Sequence, residues 1–130
     1  MARTRPLSPF LHYRWQYTNT SSILHRLTGI ALSVGFLLFV YWITAIPRGP
    51  DAYARAVRLL SHPFLKGLLG ILLTAFAYHF CNGIRHLLWD AGVGLERRKA
   101  RRSAWIVVAG TFLIVAVLGS VLFFGYGGVS

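Results

Sequence analysis

The most constraining feature of this sequence is an apolar stretch at residues 66–90, KGLLGILLTAFAYHFCNGIRHLLWD, that contains a histidine, His79, well inside it. The stretch is long enough to cross a bilayer, because a helix rises 1.5 Å per residue and the hydrocarbon core is about 30 Å thick. A protonatable side chain at that depth is energetically costly, so an intramembrane histidine marks a candidate functional site. The stretch therefore predicts a membrane-spanning helix organised around His79.

Two further residues lie on the same face of this predicted helix. Gly83 and His86 follow His79 by four and seven residues, and the glycine leaves room for a bulky neighbour. A histidine that faces a gap in a helix bundle is a common way of holding a haem. His79 is thus predicted to be a haem-iron ligand. The alternative is a packing histidine that is hydrogen-bonded to a carbonyl of a neighbouring helix.

The composition supports a membrane protein. Only 13% of the 130 residues are charged and the mean hydropathy is +0.56, whereas a soluble domain carries about 25% charged residues. The net charge of +11 comes from Arg and Lys at the ends of apolar spans, where lipid contact explains them, so no nucleic-acid partner is predicted. Cys81 is the only cysteine and therefore forms no internal disulfide.

The pattern of apolar runs predicts an all-α membrane protein with three transmembrane helices in a single membrane-anchor domain, residues 1–130. Its first residues do not resemble a cleavable signal peptide, because the apolar stretch that follows is too long. Pro47 and Pro50 end the first span, and the third span has no ionisable side chain, which indicates a scaffold role. The predicted segments are a surface arm at 1–21, spans at about 22–46, 63–89 and 103–124, and an amphipathic segment at 51–62.

The distribution of basic residues predicts the orientation. With three spans, the N-terminus and the loop before the third span share one side of the membrane. That side carries Arg3, Arg5, Arg14, Arg26, Arg97, Arg98, Lys99, Arg101 and Arg102. The other side carries Arg48, Arg55, Arg58 and Lys66. The positive-inside rule then predicts a cytoplasmic N-terminus and an external C-terminus.

This orientation brings separate polar residues to one half of the bilayer. Ser22 and Arg26 share a helix face and could hydrogen-bond a quinone carbonyl; the alternatives are a helix cap for Ser22 and an interfacial anchor for Arg26. His25, Arg26 and His86 could bind haem propionates near the water boundary, the alternative for the histidines being simple interfacial residence. His79 lies roughly 16 Å deeper than Asp90, near mid-depth.

The chain offers one mid-depth histidine and no methionine other than Met1. A haem between two imidazoles needs a second ligand at matching depth on a facing helix. Either the haem is five-coordinate, or a second protein supplies the other ligand.

Four motifs give the chain a family resemblance. It resembles the cytochrome b membrane-anchor subunit of succinate dehydrogenase, the larger of two anchors in the four-subunit bacterial enzyme. The motifs are RPLSP at 5–9, YRWQ at 13–16, SILHRLTG at 22–29 and HFCNGIRHLLWD at 79–90. The resemblance implies that His79 is an axial ligand of haem b, that a second small anchor subunit supplies the other ligand, and that both pack into one haem-holding bundle.

The resemblance also implies roles for the residues of the first span. It places the quinone-pocket serine and arginine at Ser22 and Arg26, and the propionate-side histidine at His25. Succinate would be oxidised in a flavoprotein subunit, and an iron–sulfur subunit would pass the electrons to ubiquinone or menaquinone. The expected location is the bacterial cytoplasmic (inner) membrane, with several passes, and the chain alone would catalyse nothing.

Two alternatives remain open on the sequence. One is an anchor of a quinol:fumarate reductase, which runs the same chemistry in reverse. The other is a haem-free structural anchor. A transporter is disfavoured, because its pathway would carry ionisable residues through the membrane and the outer half of these spans lacks them.

Overall fold

The computed structural model describes the backbone of residues 17–127 and the side chains of residues 19–121. Most of the predicted surface arm, with the motifs at 5–9 and 13–16, lies outside the described residues. The described part is helical and contains no strand. Its elements are α1 (Tyr17–Ala45), a single 3-10 turn (Ile46–Arg48), α2 (Pro50–Leu60), α3 (Pro63–Asp90) and α4 (Arg97–Gly127).

Three of these helices are long and apolar enough to cross a membrane. The candidate spans are Asn19–Arg48, Pro63–Asp90 and Arg97–Val121. The predicted all-α fold with three transmembrane helices is therefore confirmed. Helix α3 packs against both α1 and α4, so it forms the centre of the bundle.

Two helices start earlier than the predicted spans. Helix α1 begins at Tyr17, before residue 22, and α4 begins at Arg97, before residue 103. A helix can continue beyond the hydrocarbon into the headgroup region, where basic side chains are well solvated. Ser22 consequently lies inside α1 and is not its N-cap, so the capping alternative for this residue is wrong.

Proline, glycine and histidine mark the helix ends in the segment that connects α1 to α3. Pro50 occupies the first turn of α2, where its missing N–H costs nothing, and Gly49 precedes it with φ 92°, a conformation that favours glycine. His62 caps α3 by accepting a hydrogen bond from the Phe64 N–H at 3.4 Å. On α2, the buried Ala56 packs inward while Arg55 and Arg58 are exposed.

In this bundle the large apolar side chains are exposed, whereas in a soluble domain they would form the core. The buried apolar residues are small, whereas large ones such as Phe64 and Phe112 are more than 70% exposed. Small residues allow helices to approach closely in lipid, and the large side chains are left for lipid or partner helices. The buried apolar residues are Ala45, Ala56, Ala75, Ala77, Ala100 and Val107.

A buried arginine joins the three long helices. Arg85 on α3 is only 3% exposed, and it donates to a side chain on each neighbouring helix and to one main-chain carbonyl of α4. Its Nε donates to Ser103 Oγ at 2.9 Å, its Nη1 to Ser21 Oγ at 2.9 Å, and its Nη2 to the Ala100 carbonyl at 3.0 Å. Ser21 belongs to α1, and the other two acceptors belong to α4.

Asn82, also on α3, completes this set of contacts. The set is here called the Arg85 network and consists of Arg85, Ser21, Asn82, Ala100 and Ser103. Arg85 Nη1 also donates to Asn82 Oδ1 at 3.3 Å, while Asn82 Nδ2 donates to the Ser21 carbonyl at 3.4 Å. The guanidinium lies 4.0 Å from the centre of the Trp89 ring, a cation–π contact. The charge is thus balanced by neutral acceptors and an aromatic face.

We predict that Arg85→Leu lowers the free energy of unfolding by about 2–4 kcal/mol, because several buried acceptors lose their donor at once. Thermal unfolding of the detergent-solubilised protein measures the change. Arg98→Leu, which removes an exposed arginine of α4, is the matched control and should leave the transition in place. Equal transitions for the two variants would contradict a stabilising role for the network.

Candidate functional site

Three histidines from two helices meet between α1 and α3. The rings of His25 and His79 stack with centroids 3.9 Å apart and an interplanar angle of 11°. The ring of His86 lies 5.1 Å from that of His25. The structure therefore brings together the three histidines singled out in the sequence, and they form one group, here called the histidine cluster.

The hydrogen bonds of His79 define which ring nitrogen carries the proton. Its Nδ1 lies 3.1 Å from the carbonyl oxygen of His25 and 3.2 Å from Thr28 Oγ1. A carbonyl oxygen only accepts, so Nδ1 must donate. The Thr28 hydroxyl donates within its own helix, to the Leu24 carbonyl at 2.8 Å, which leaves its oxygen able to accept from His79. In a neutral imidazole this arrangement leaves Nε2 with a lone pair.

This geometry combines the two alternatives that the sequence left open for His79. The bond to a carbonyl of a neighbouring helix, expected of a packing histidine, is present. It occupies Nδ1 only. A histidine that binds a metal usually donates its other ring N–H to a carbonyl or carboxylate, which orients the ring. The packing contact is therefore compatible with both alternatives, because it leaves the Nε2 lone pair unused.

Gly29 makes this approach possible. A Cβ atom at this position would lie 3.1 Å from His79 Cε1, tighter than most contacts. Gly29 is also four residues after His25, so its N–H is the helical partner of the same carbonyl that His79 contacts. The bulky neighbour beside Gly83 is the His25 ring, whose Cε1 would lie at an ordinary contact distance of 3.8 Å from a Cβ atom at this position.

His25 has a buried polar atom without a partner. Its Nδ1 makes no hydrogen bond within the described part of the chain, although the atom is inaccessible to solvent. Buried polar atoms are nearly always paired, since an unpaired one costs about 1–3 kcal/mol. We therefore expect this nitrogen to form a hydrogen bond with a polar group outside the described residues. The nearby His86 ring packs edge-on against Trp89, with centroids 5.2 Å apart.

Ser22 and Arg26 lie on α1 beside the histidine cluster. Ser22 is half-buried and Arg26 is exposed. Among residues 19–121 neither side chain has a hydrogen-bond or ion-pair partner, which contrasts with the fully engaged Arg85. A free hydroxyl and a free guanidinium one helical turn apart can bind an oxygen atom of a ligand.

The structure adds two residues that the sequence reasoning did not select. Arg85 could have been selected, because the rule that singled out His79, an ionisable group inside an apolar span, applies to it equally. Thr28 carried no such signal. A threonine in a helix is unremarkable until the distance to a side chain on another helix is known.

Comparison with known proteins places this chain in a family. The family described as "Succinate dehydrogenase/Fumarate reductase transmembrane subunit" matches residues 1–118. The chain is 40% identical over 126 residues to a succinate dehydrogenase cytochrome b556 subunit of Paracoccus denitrificans, covering 92% of each chain. It is 37% identical over 115 residues to the b556 subunit of Rickettsia typhi, covering 88% of this chain and 90% of the relative.

A mitochondrial protein is also similar. The chain is 39% identical over 125 residues to the succinate dehydrogenase cytochrome b560 subunit of Sus scrofa, covering 93% of this chain and 70% of the relative. The match to the family and the three apolar helices together make this a multi-pass membrane protein. The chain belongs to the cytochrome b membrane-anchor subunits of succinate dehydrogenase.

Proposed function

We propose that this chain anchors a succinate dehydrogenase in the membrane, supplies His79 as one axial ligand of haem b, and helps to form a quinone site with Ser22 and Arg26. The observation that carries the proposal is the hydrogen bond from His79 Nδ1 to the His25 carbonyl, which leaves Nε2 available for iron. The relatives' names describe cytochromes b of succinate dehydrogenase, and that agrees with such a ligand.

The residues present fit a haem. His79 Nε2 supplies an unprotonated imidazole nitrogen, and the unpaired Nδ1 of His25 requires a polar partner of the kind that a haem propionate provides. His86 and Arg26 offer further donors toward propionates. When bound, haem b would supply a one-electron redox centre. A second small anchor subunit supplies the other axial ligand in this proposal.

Ser22 and Arg26 bind the quinone in this proposal. The hydroxyl donates to a quinone carbonyl oxygen, and the guanidinium stabilises the negative charge that develops there on reduction. Both side chains lie on α1 within one turn of His25, so the quinone site adjoins the histidine cluster. Ubiquinone and menaquinone present the same carbonyl chemistry to these groups.

The orientation in this proposal rests on charge, and the partners rest on the family. By the positive-inside rule, the end of the bundle with the exposed basic residues at the start of α4 would face the cytoplasm of a bacterial cell, with the chain in the inner membrane. A flavoprotein subunit oxidises succinate, releasing two electrons and two protons. An iron–sulfur subunit docks on this basic end and passes the electrons to the quinone. The basic residues are Arg97, Arg98, Lys99, Arg101 and Arg102.

We predict that His79→Ala abolishes the haem b band in a reduced-minus-oxidised spectrum of the detergent-extracted complex, because the chain loses its iron ligand. His62→Ala is the control, since His62 is exposed and caps the far end of α3. A complex that keeps its haem b band after His79→Ala would refute the assignment of the ligand.

We predict that Arg26→Ala and Ser22→Ala each lower succinate:quinone reductase activity about tenfold or more, since a hydrogen bond to a charged group contributes roughly 1.5–3 kcal/mol. Succinate oxidation by a soluble dye should stay near the wild-type rate, because the flavin lies in another subunit. Arg58→Ala, on the exposed face of α2, is the matched control. A parallel loss of both activities would instead indicate a docking role.

We predict that Gly29→Val reduces the haem content of the purified complex, because the new side chain would press on the His79 ring at about the position of Cε1. Gly70→Val is the control, since no atom lies within 4 Å of a Cβ atom built there. Haem content is measured per mole of complex as the pyridine haemochrome. Equal haem content in both variants would show that the close approach at Gly29 is unimportant.

A further inference from the structure

Thr28 makes three contacts through one hydroxyl group. Its Oγ1 lies 2.8 Å from the Leu24 carbonyl, 2.9 Å from the His25 carbonyl and 3.2 Å from His79 Nδ1. A hydroxyl has a single proton, and both carbonyls can only accept. The hydroxyl therefore donates its proton to a carbonyl within α1, and the shorter contact is to Leu24. Its oxygen is then the acceptor for the Nδ1–H of His79.

Other threonines of the bundle make the same bonds within their helix without this contact. Thr44 Oγ1 lies 2.8 Å from the Val40 carbonyl and 3.1 Å from the Tyr41 carbonyl, the same pair of positions that Thr28 uses. Thr74 likewise bonds to the Gly70 carbonyl at 3.0 Å. Bonding of this kind is ordinary for threonine in helices. What distinguishes Thr28 is the acceptor that it presents to a side chain of another helix.

We propose that Thr28 is a positioning residue that holds the His79 imidazole by its Nδ1–H and sets the electron density at Nε2. The proposal rests on the proposed role of His79 as a haem ligand. Nδ1–H then has two acceptors, the His25 carbonyl and Thr28 Oγ1, which together fix both the tautomer and the rotation of the ring.

The direction in which Thr28 should change the haem reduction potential can be worked out. An acceptor at Nδ1–H makes the opposite nitrogen a more basic ligand. A more basic ligand favours ferric over ferrous iron, because it donates more electron density to the higher charge, and this lowers the reduction potential. The site is half-buried between helices, where polar interactions are stronger than in water. Removing the hydroxyl should therefore raise the haem potential.

The test compares redox titrations of the intact detergent-purified complex carrying Thr28→Val, Thr28→Ser or Thr44→Val. Thr28→Val removes the hydroxyl and keeps the shape of the side chain, whereas Thr28→Ser keeps the hydroxyl. Thr44→Val removes a hydroxyl with the same bonds inside its helix and no contact to His79. We expect an upward shift of the haem midpoint potential for Thr28→Val alone, with wild-type values for the other two.

Each other outcome is decisive. A wild-type potential for Thr28→Val would overturn the proposal. Equal shifts for Thr28→Val and Thr28→Ser would also overturn it, because Thr28→Ser keeps the hydroxyl and its loss could then not be the cause. Loss of haem in Thr28→Val, with haem kept at the wild-type potential in Thr28→Ser, would support the hydroxyl as the group that holds the ring. Retention of haem b in His79→Ala would refute the proposed function itself, a result distinct from any of these.

Discussion

The site depends on one hydrogen bond between two helices, from His79 Nδ1–H to the main-chain carbonyl of His25. A helical carbonyl has a second lone pair after bonding to the N–H four residues on, so it can accept from outside. Gly29 supplies that N–H and has no Cβ atom, which keeps the carbonyl accessible. This contact fixes the tautomer of His79, with the proton on Nδ1 and the lone pair on Nε2.

Helix α1 is attached to α3 at two points one turn apart. Ser21 accepts from Arg85, and His25, four residues later, accepts from His79. Tyr78 and Asn82 on α3 also donate to the Ser21 carbonyl, at 3.2 and 3.4 Å. Two contacts on one face fix both the register and the rotation of α1 against α3. Because the donors are side chains in an apolar surrounding, losing either contact would leave polar atoms unpaired, so the register is strongly specified.

Much of this arrangement could be predicted from the sequence, and the limits have physical causes. Hydropathy located the three spans, and the alternation of helix direction placed His25, His79 and His86 in the same half of the bilayer. The partners of Arg85 could not be predicted, because they lie on three helices whose distances no single-sequence pattern encodes. Helix α1 begins at Tyr17, ahead of the predicted span, because a helix can continue beyond the hydrocarbon, so apolar length alone does not mark where it starts. The role of Thr28 depends on a distance across helices and gave no sequence signal.

The distribution of ligands links haem binding to assembly in the proposed function. If this chain and a second subunit each supply one haem ligand, as proposed, the haem would lie at the contact between them, and the exposed large apolar side chains of this bundle leave surface for such a contact. A ligand that binds only the assembled pair stabilises that pair by mass action. The buried, unpaired Nδ1 of His25 would also favour haem binding, because the free-energy cost of burying it unpaired is removed only when a polar group bonds to it. Under the proposed function, haem loss would therefore loosen the association of this chain with the second anchor as well as remove a redox centre.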